Sequence, residues 1–157
     1  VEAGADMIVV QGTVVTARHS SKSLKGLVFA DLIKDLDVPV LVGNTVSYEV
    51  TKELMQQGIA GVMVGVGPGS VCTSREVLGI GIPQVSATIE CAAARDDYFK
   101  ETGKYIPIIT DGGIRTGGDV CKSFAAGANA VMIGSPFAKT EEAPAKGFHW
   151  GMAAWHD

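Results

Sequence analysis

The sequence predicts an α/β protein built on a parallel sheet, and three observations support this fold class. Short apolar segments rich in β-branched residues recur five times along the 157 residues. Helical patterns lie between these segments, and short connections join them, as in repeated βα units. The hydrophobic fraction of 46% is large enough for a substantial core, and the 20 glycines favour loops in which the backbone lines a ligand site.

The five predicted strands are about four residues long and carry no charged residue. Uninterrupted apolar runs of this kind are typical of strands that are buried on both faces of a parallel sheet. We expect the strands at residues 7–10, 40–42, 62–64, 106–109 and 130–133.

Four helices are predicted between these strands, at residues 27–36, 46–57, 83–102 and 117–126. Their apolar residues recur at the spacing of one helix face. Glycine follows three of them, as expected at a helix C-terminus, at Gly58, Gly103 and Gly127. Cys91 and Cys121 lie on the apolar faces of the last two helices, where we expect each thiol to pack as a small hydrophobic group.

Two architectures are compatible with five such units. One is a flavodoxin-like open sheet, and the other is part of a (β/α)8 barrel, which usually takes about 250 residues. Repetition of similar units favours the barrel. The chain also starts and stops within the βα pattern, so we expect it to be a fragment of a longer protein.

Composition excludes several other classes of function. A net charge of -4 provides no basic field for nucleic acid or for an anionic membrane surface. No apolar run approaches the length of a membrane span. The three cysteines are odd in number and widely spaced, which argues against a disulfide framework and favours a reducing cytoplasm.

Glycine beside a polar residue follows every predicted strand. In parallel α/β folds, ligands bind at the carboxyl ends of the strands. Gly112-Gly113 after one strand and Gly134-Ser135 after the next would present backbone N–H groups and a hydroxyl to a phosphate. Asp111 is an acceptor suited to a ribose diol. Either loop alone is equally consistent with an ordinary turn or helix start.

The stretch GVGPGSVCTSR, residues 65–75, contains the candidate nucleophile. Cys72 lies in a loop of glycines and hydroxyl residues, where packing does not explain a thiol. A thiol in such a loop can attack an electrophilic carbon. The nearby glycine carbonyls would also suit a monovalent cation. The loop matches neither the GxGxxG fingerprint nor the GK[ST] phosphate loop.

Together, GVGPGSVCTSR, TDGGI and VMIGSPFA–EAP resemble the IMP dehydrogenase/GMP reductase family, and the likeness covers essentially the whole chain. That family is a (β/α)8 barrel, usually a homotetramer, that changes position 2 of a purine nucleotide through a cysteine adduct and nicotinamide hydride transfer. The resemblance implies that the five strands are the fourth to eighth of the barrel. Residues 1–157 would all belong to this catalytic barrel, with no CBS domain among them.

The resemblance also implies roles for individual residues. Cys72 would be the nucleophile, with Thr73 and Ser74 beside it, and Ser74 stands where the family has a threonine. The phosphate would be held by Ser70, Gly113, Gly134 and Ser135. The ribose and base would be contacted by Asp111, Asn44, Gly151 and Met152. The resemblance also implies that potassium, as in the dehydrogenases, would be bound by the backbone carbonyls of Gly67, Gly69 and Cys72.

Some positions depart from the family. An aspartate that holds the nicotinamide cofactor falls near Ile8 and is missing, and a nearby basic residue corresponds to Met63. The short segment that ends in GFHWGM is similar to the bacterial IMP dehydrogenase-related subgroup. The basic residues within 18–25 are either a solvated loop or a contact for a cofactor phosphate. His149 is either a rim residue or a phosphate donor.

The sequence therefore predicts an NAD- or NADP-dependent oxidoreductase acting on IMP, GMP or XMP, with the IMP-to-XMP direction implied by the family. A GMP reductase is the alternative. A purine-nucleotide sensor without turnover is a second hypothesis, motivated by the missing cofactor residues. A flavin-dependent phosphate-binding barrel is a third, but it gives Cys72 no role.

Overall fold

A computed structural model describes residues 1–12, 14–17 and 26–151, which form one five-stranded parallel sheet. The strands are β1 (Ile8–Gln11), β2 (Val40–Thr45), β3 (Gly61–Val64), β4 (Ile108–Asp111) and β5 (Ala130–Met132). Each strand pairs with the next one along the chain, in the order β1-β2-β3-β4-β5. A flavodoxin-like sheet has the order 2-1-3-4-5, so this sequential order is that of a barrel wall.

The helices are α1 (Phe29–Lys34), α2 (Tyr48–Gln56), α3 (Ser74–Val77), α4 (Gln84–Thr102), α5 (Gly117–Ala125) and α6 (Ser135–Ala138). The four predicted helices are confirmed, although α1 has 6 residues where ten were expected and the other three are one to three residues shorter. The sequence did not predict α3 and α6, because four residues are too few to show a helical period. None of the helices described within residues 1–12, 14–17 and 26–151 has the length and apolar content needed to cross a membrane.

Local sequence explains where the helices begin and end. The Ser47 hydroxyl accepts a hydrogen bond from the Val50 N–H at the start of α2. Thr116 and Asp119 form a reciprocal capping box at the start of α5. The predicted C-terminal glycines have positive φ angles of +87°, +72° and +102° at Gly58, Gly103 and Gly127.

The main core lies between the sheet and helices α2 and α4. Val42, Val62 and Val64 are fully buried there, against Leu54 and Met55 of α2 and the apolar face of α4. Cys91 of α4 is also fully buried, as predicted. Burial raises the pKa of its thiol from an ordinary 9.0 to about 11, although a hydrogen bond from Thr51 opposes this.

Two predictions about burial are wrong. Cys121 is exposed, because α5 packs against α4 and β5 at the margin of the sheet and leaves much of its surface open. Of the five strands, only β2 and β3 are buried throughout. The edge strands β1 and β5 have one neighbour each and are partly exposed.

Strand β4 starts two residues later than predicted. Pro107 has no N–H to contribute to a ladder, although its carbonyl accepts a hydrogen bond from the Val62 N–H at 3.0 Å.

Within β2, Gly43 lies against Met63 of β3. A Cβ at position 43 would be 2.8 Å from the Met63 carbonyl oxygen, so only glycine allows this approach of the two strands. Met63 itself is 2% exposed.

Candidate active site

A cavity of about 350 Å³ lies at the carboxyl ends of the strands, and residues in or directly after the ends of all five strands line it. Most of the predicted site residues meet there: Asn44, Gly67, Gly69, Ser70, Cys72, Ser74, Asp111, Gly113, Gly134, Ser135 and Gly151. Thr73 instead occupies the N-cap position of α3 and does not line the cavity. Met152 and the basic residues of 18–25 lie outside the described residues.

Two polar side chains from other strands converge on the carboxylate of Asp111. Its Oδ2 accepts hydrogen bonds from Gln11 Nε2 and Asn44 Nδ2, both at 2.8 Å. Gln11 Nε2 also donates to Asn44 Oδ1 at 2.9 Å. The ends of β1, β2 and β4 are thereby joined at one polar cluster. Sequence analysis missed Gln11, for which the available signal was its place at the end of a predicted strand.

A second glutamine holds the backbone beneath this cluster. Gln84, at the start of α4, donates from Nε2 to the Val64 carbonyl at 2.7 Å and to the Asp111 carbonyl at 3.2 Å. These carbonyls belong to the ends of β3 and β4. The other amide atom, Gln84 Oε1, is buried and accepts no hydrogen bond from the described residues. Sequence analysis gave no role to this residue.

A chain of three hydrogen-bonding side chains forms the opposite part of the cavity. Ser70 Oγ and Ser135 Oγ are 2.7 Å apart, and Ser135 Oγ is 3.0 Å from His149 Nε2. Gly113, with φ of +79°, packs against the loop that carries Ser70. A Cβ there would be 3.2 Å from the Pro68 carbonyl oxygen. Hydroxyl and imidazole donors therefore gather where an anionic group can bind.

Cys72 is exposed at the cavity rather than packed in the core. Its Sγ donates a hydrogen bond to Ser74 Oγ at 3.3 Å, and its N–H donates to the Gly69 carbonyl at 3.2 Å. The same hydroxyl can turn to donate to the sulfur once the thiol has lost its proton. An accessible thiol beside a hydroxyl group suits a nucleophile.

The turn whose carbonyls are expected to bind potassium has Cys72 and Arg75 as neighbours. The Gly69 carbonyl accepts a hydrogen bond from the Cys72 N–H. The Arg75 side chain packs directly against Gly67, and its Nε donates to the neighbouring Val66 carbonyl at 3.0 Å. A fixed positive charge thus stands beside the turn. In the part of the chain that the structure describes, histidines, cysteines and carboxylates form no cluster of three or more suited to a metal ion.

The two positions that depart from the family offer nothing polar to a nicotinamide cofactor. Ile8 is a half-buried apolar residue of β1, and Met63 is buried beside Gly43. The cavity volume, about 350 Å³, is near the lower end of the usual range for small-molecule sites.

The chain is similar in sequence to a known family and to several known proteins. A family model for the IMP dehydrogenase / GMP reductase domain matches residues 1–153. An uncharacterized oxidoreductase of Mycolicibacterium smegmatis is 42% identical over 158 residues, covering 99% of this chain and 42% of that protein. An inosine-5'-monophosphate dehydrogenase of Aquifex aeolicus is 46% identical over 155 residues, covering 99% of this chain and 30% of the dehydrogenase.

The fold is also similar to a solved structure. The IMP dehydrogenase/GMP reductase-like protein of Corynebacterium glutamicum superimposes with a TM-score of 0.84 and 41% sequence identity. The match covers 93% of this chain and 38% of the other. The chain therefore spans less than half the length of these relatives.

Proposed function

The chain belongs to the IMP dehydrogenase/GMP reductase family, and on that premise we propose that the protein is an oxidoreductase acting at C2 of a purine mononucleotide. One observation carries the proposal. An exposed thiol (Cys72), a ribose acceptor (Asp111) and a cluster of phosphate donors (Ser70, Ser135 and His149) line the same cavity.

The nucleotide would bind across the loops. Ser70, Ser135 and His149 would hold the phosphate, together with backbone N–H groups of Gly113 and Gly134. Asp111 would accept hydrogen bonds from the ribose hydroxyls while Gln11 and Asn44 hold its Oδ2. With the phosphate at one end and the ribose in the middle, the purine would extend toward Cys72.

Cys72 would act as the nucleophile. Its thiolate adds to C2 of the purine, forming an S–C2 bond, while the electron pair of the C2–N3 double bond moves to N3, which takes up a proton. Ser74 lies 3.3 Å from the sulfur and would hold the thiol or thiolate in place before the addition. A bound nicotinamide would supply the chemistry that this chain lacks, as the acceptor or donor of a hydride.

The dehydrogenase direction converts IMP into XMP. C2 of the adduct loses hydride, and water then replaces the sulfur, so that Cys72 leaves as the thiol and C2 carries the new oxygen. In the reductase direction, ammonia leaves C2 of GMP, hydride enters, and the thiol is released with IMP. Similarity to the Aquifex dehydrogenase supports the first direction, whereas arginine after Ser74 is closer to the reductases.

A purine-nucleotide sensor is the second candidate, and a specific observation favours it. Ile8 and Met63 present no polar group at the positions where the family contacts its cofactor. Cys72 argues against a sensor, because phosphate and ribose recognition does not need an exposed thiol.

The test is a turnover assay with the full-length protein that follows the absorbance of reduced nicotinamide. IMP with NAD or NADP forms one arm, and GMP with NADH or NADPH forms the other. A rise with IMP that disappears in Cys72→Ala establishes a dehydrogenase, and a Cys72-dependent fall with GMP establishes a reductase. Nucleotide binding with no change in either arm overturns the enzyme and leaves the sensor.

The proposal extends to the cofactor and the cellular setting. We propose NAD or NADP as the redox partner, a homotetramer of full-length chains, and a catalytic barrel to which all of residues 1–157 belong. A reducing cytoplasm fits the three cysteines, all of which are free thiols.

A further inference from the structure

Arg75 ties together the loop that carries Cys72. This loop, residues 65–83, runs from the end of β3 to the start of α4. Arg75 Nε donates to the Val66 carbonyl at 3.0 Å, and Arg75 Nη2 donates to the Ile82 carbonyl at 2.6 Å. Arg75 itself is three residues beyond Cys72, in α3. One side chain therefore joins the beginning, the middle and the end of the loop.

Two glycines make room for this side chain. A Cβ at Gly67 would lie 2.7 Å from Arg75 Cγ, and a Cβ at Gly81 would lie 2.7 Å from Arg75 Nε. Both glycines also have positive φ angles, +71° and +155°. Any other residue at either position would displace the arginine. The conformation of the Arg75 side chain is therefore restricted by the backbone on two sides.

Arg75 also acts close to the turn that precedes Cys72. Val66, whose carbonyl it binds, directly precedes Gly67, and the Gly69 carbonyl accepts a hydrogen bond from the Cys72 N–H. A hydrogen bond from a charged group is also stronger than one from a neutral donor.

We propose that Arg75 is a positioning residue for Cys72, because it holds the loop that carries the thiol at both of its ends. The part concerning catalysis rests on the proposed function of Cys72. The part concerning loop order does not, because it follows from the contacts of Arg75 alone.

Hydrogen–deuterium exchange of the full-length protein tests the loop directly. Exchange of peptides covering residues 65–83 would be compared between the wild type and its variants. We expect a loss of protection in Arg75→Gln. Arg75→Lys keeps the charge but lacks the planar fork that presents Nε and Nη2 to two carbonyls, so we expect intermediate protection. Lys104→Gln, which removes one charge beyond the end of α4, should match the wild type.

Turnover supplies the second readout. A misplacement of about 1 Å can cost roughly a hundredfold in rate, so we expect kcat of Arg75→Gln to fall by about that factor, with little change in KM for the nucleotide. An Arg75→Gln protein with the same loop protection as Lys104→Gln overturns the proposal. If the wild type does not turn over, the proposed function has failed, and the exchange data still decide the role of Arg75.

Discussion

Ser70 Oγ and Ser135 Oγ lie 2.7 Å apart, although 65 positions separate the two residues in sequence. They belong to loops that follow β3 and β5, which are not neighbours in the sheet. His149 extends this pair through its contact with Ser135. Two hydroxyl groups that hydrogen-bond to each other can both turn to donate to an anion placed between them.

Replacing one of these hydroxyls should weaken the binding of a nucleotide but not of a nucleoside. A hydrogen bond to a charged group contributes about 1.5–3 kcal/mol, so Ser135→Ala should lose that much binding free energy for IMP and almost none for inosine. Calorimetric titration of the full-length protein measures both. Ser86→Ala, at an exposed position of α4, is the control. Equal losses for IMP and inosine would contradict a phosphate role for Ser135.

His149 should contribute to phosphate binding through its contact with Ser135. In His149→Ala no imidazole nitrogen remains to hydrogen-bond to Ser135 Oγ or to an anion beside it. The affinity of the full-length protein for IMP should therefore fall severalfold, while the affinity for inosine stays unchanged, and calorimetric titration measures both. An unchanged affinity for IMP would make His149 a rim residue.

Gln84 should stabilise the ends of β3 and β4. In Gln84→Met the carbonyls of Val64 and Asp111 lose their shared donor, and an unsatisfied buried acceptor costs about 1–3 kcal/mol. We expect a lower melting temperature for the full-length variant and weaker IMP binding, because Asp111 is less firmly held. Gln56→Met, at an exposed position at the end of α2, is the control. Unchanged stability would show that these carbonyls find other donors.

Cys91 should be unreactive in the folded protein and should make stability depend on alkaline pH. Burial raises the pKa of its thiol to about 11, above the ordinary 9.0 of an unfolded chain. The resulting stabilisation is complete below about pH 9 and is lost as the pH rises to about 11. Peptide mapping after treatment with iodoacetamide should find Cys72 and Cys121 modified and Cys91 intact until the protein is unfolded. Modification of Cys91 at the rate of Cys121 would contradict its burial.

The sheet and its site-forming edge could be predicted from sequence because both depend on local patterns. Runs such as 62–64 are apolar because they are buried, and Gly58 or Gly103 ends a helix because it accepts a positive φ angle. Polar residues next to glycine at the strand ends likewise indicated, from local pattern alone, where the cavity lies. Asp111 and Ser135 both lie next to glycine at such strand ends.

Contacts between distant loops could not be predicted from such patterns. Gln11 reaches Asp111 across 100 positions, and Gln84 and Arg75 act through backbone carbonyls that no motif marks. The exposure of Cys121 could not be predicted for a related reason. Cys121 has the helical spacing of a packed residue, but its helix lies at the margin of the sheet. These features depend on how the units stack, which local spacing does not encode.

The convergence of Gln11, Asn44 and Asp111 has a consequence for folding. The three residues come from β1, β2 and β4, so their cluster exists only after the sheet has assembled through non-local pairings, which form slowly. A nucleotide held there and by Ser135 would bind the assembled sheet but not its unfolded or partly formed states. By mass action, such a ligand raises stability as its concentration exceeds its dissociation constant. A bound nucleotide would thus stabilise the fully assembled sheet relative to its unfolded and partly formed states.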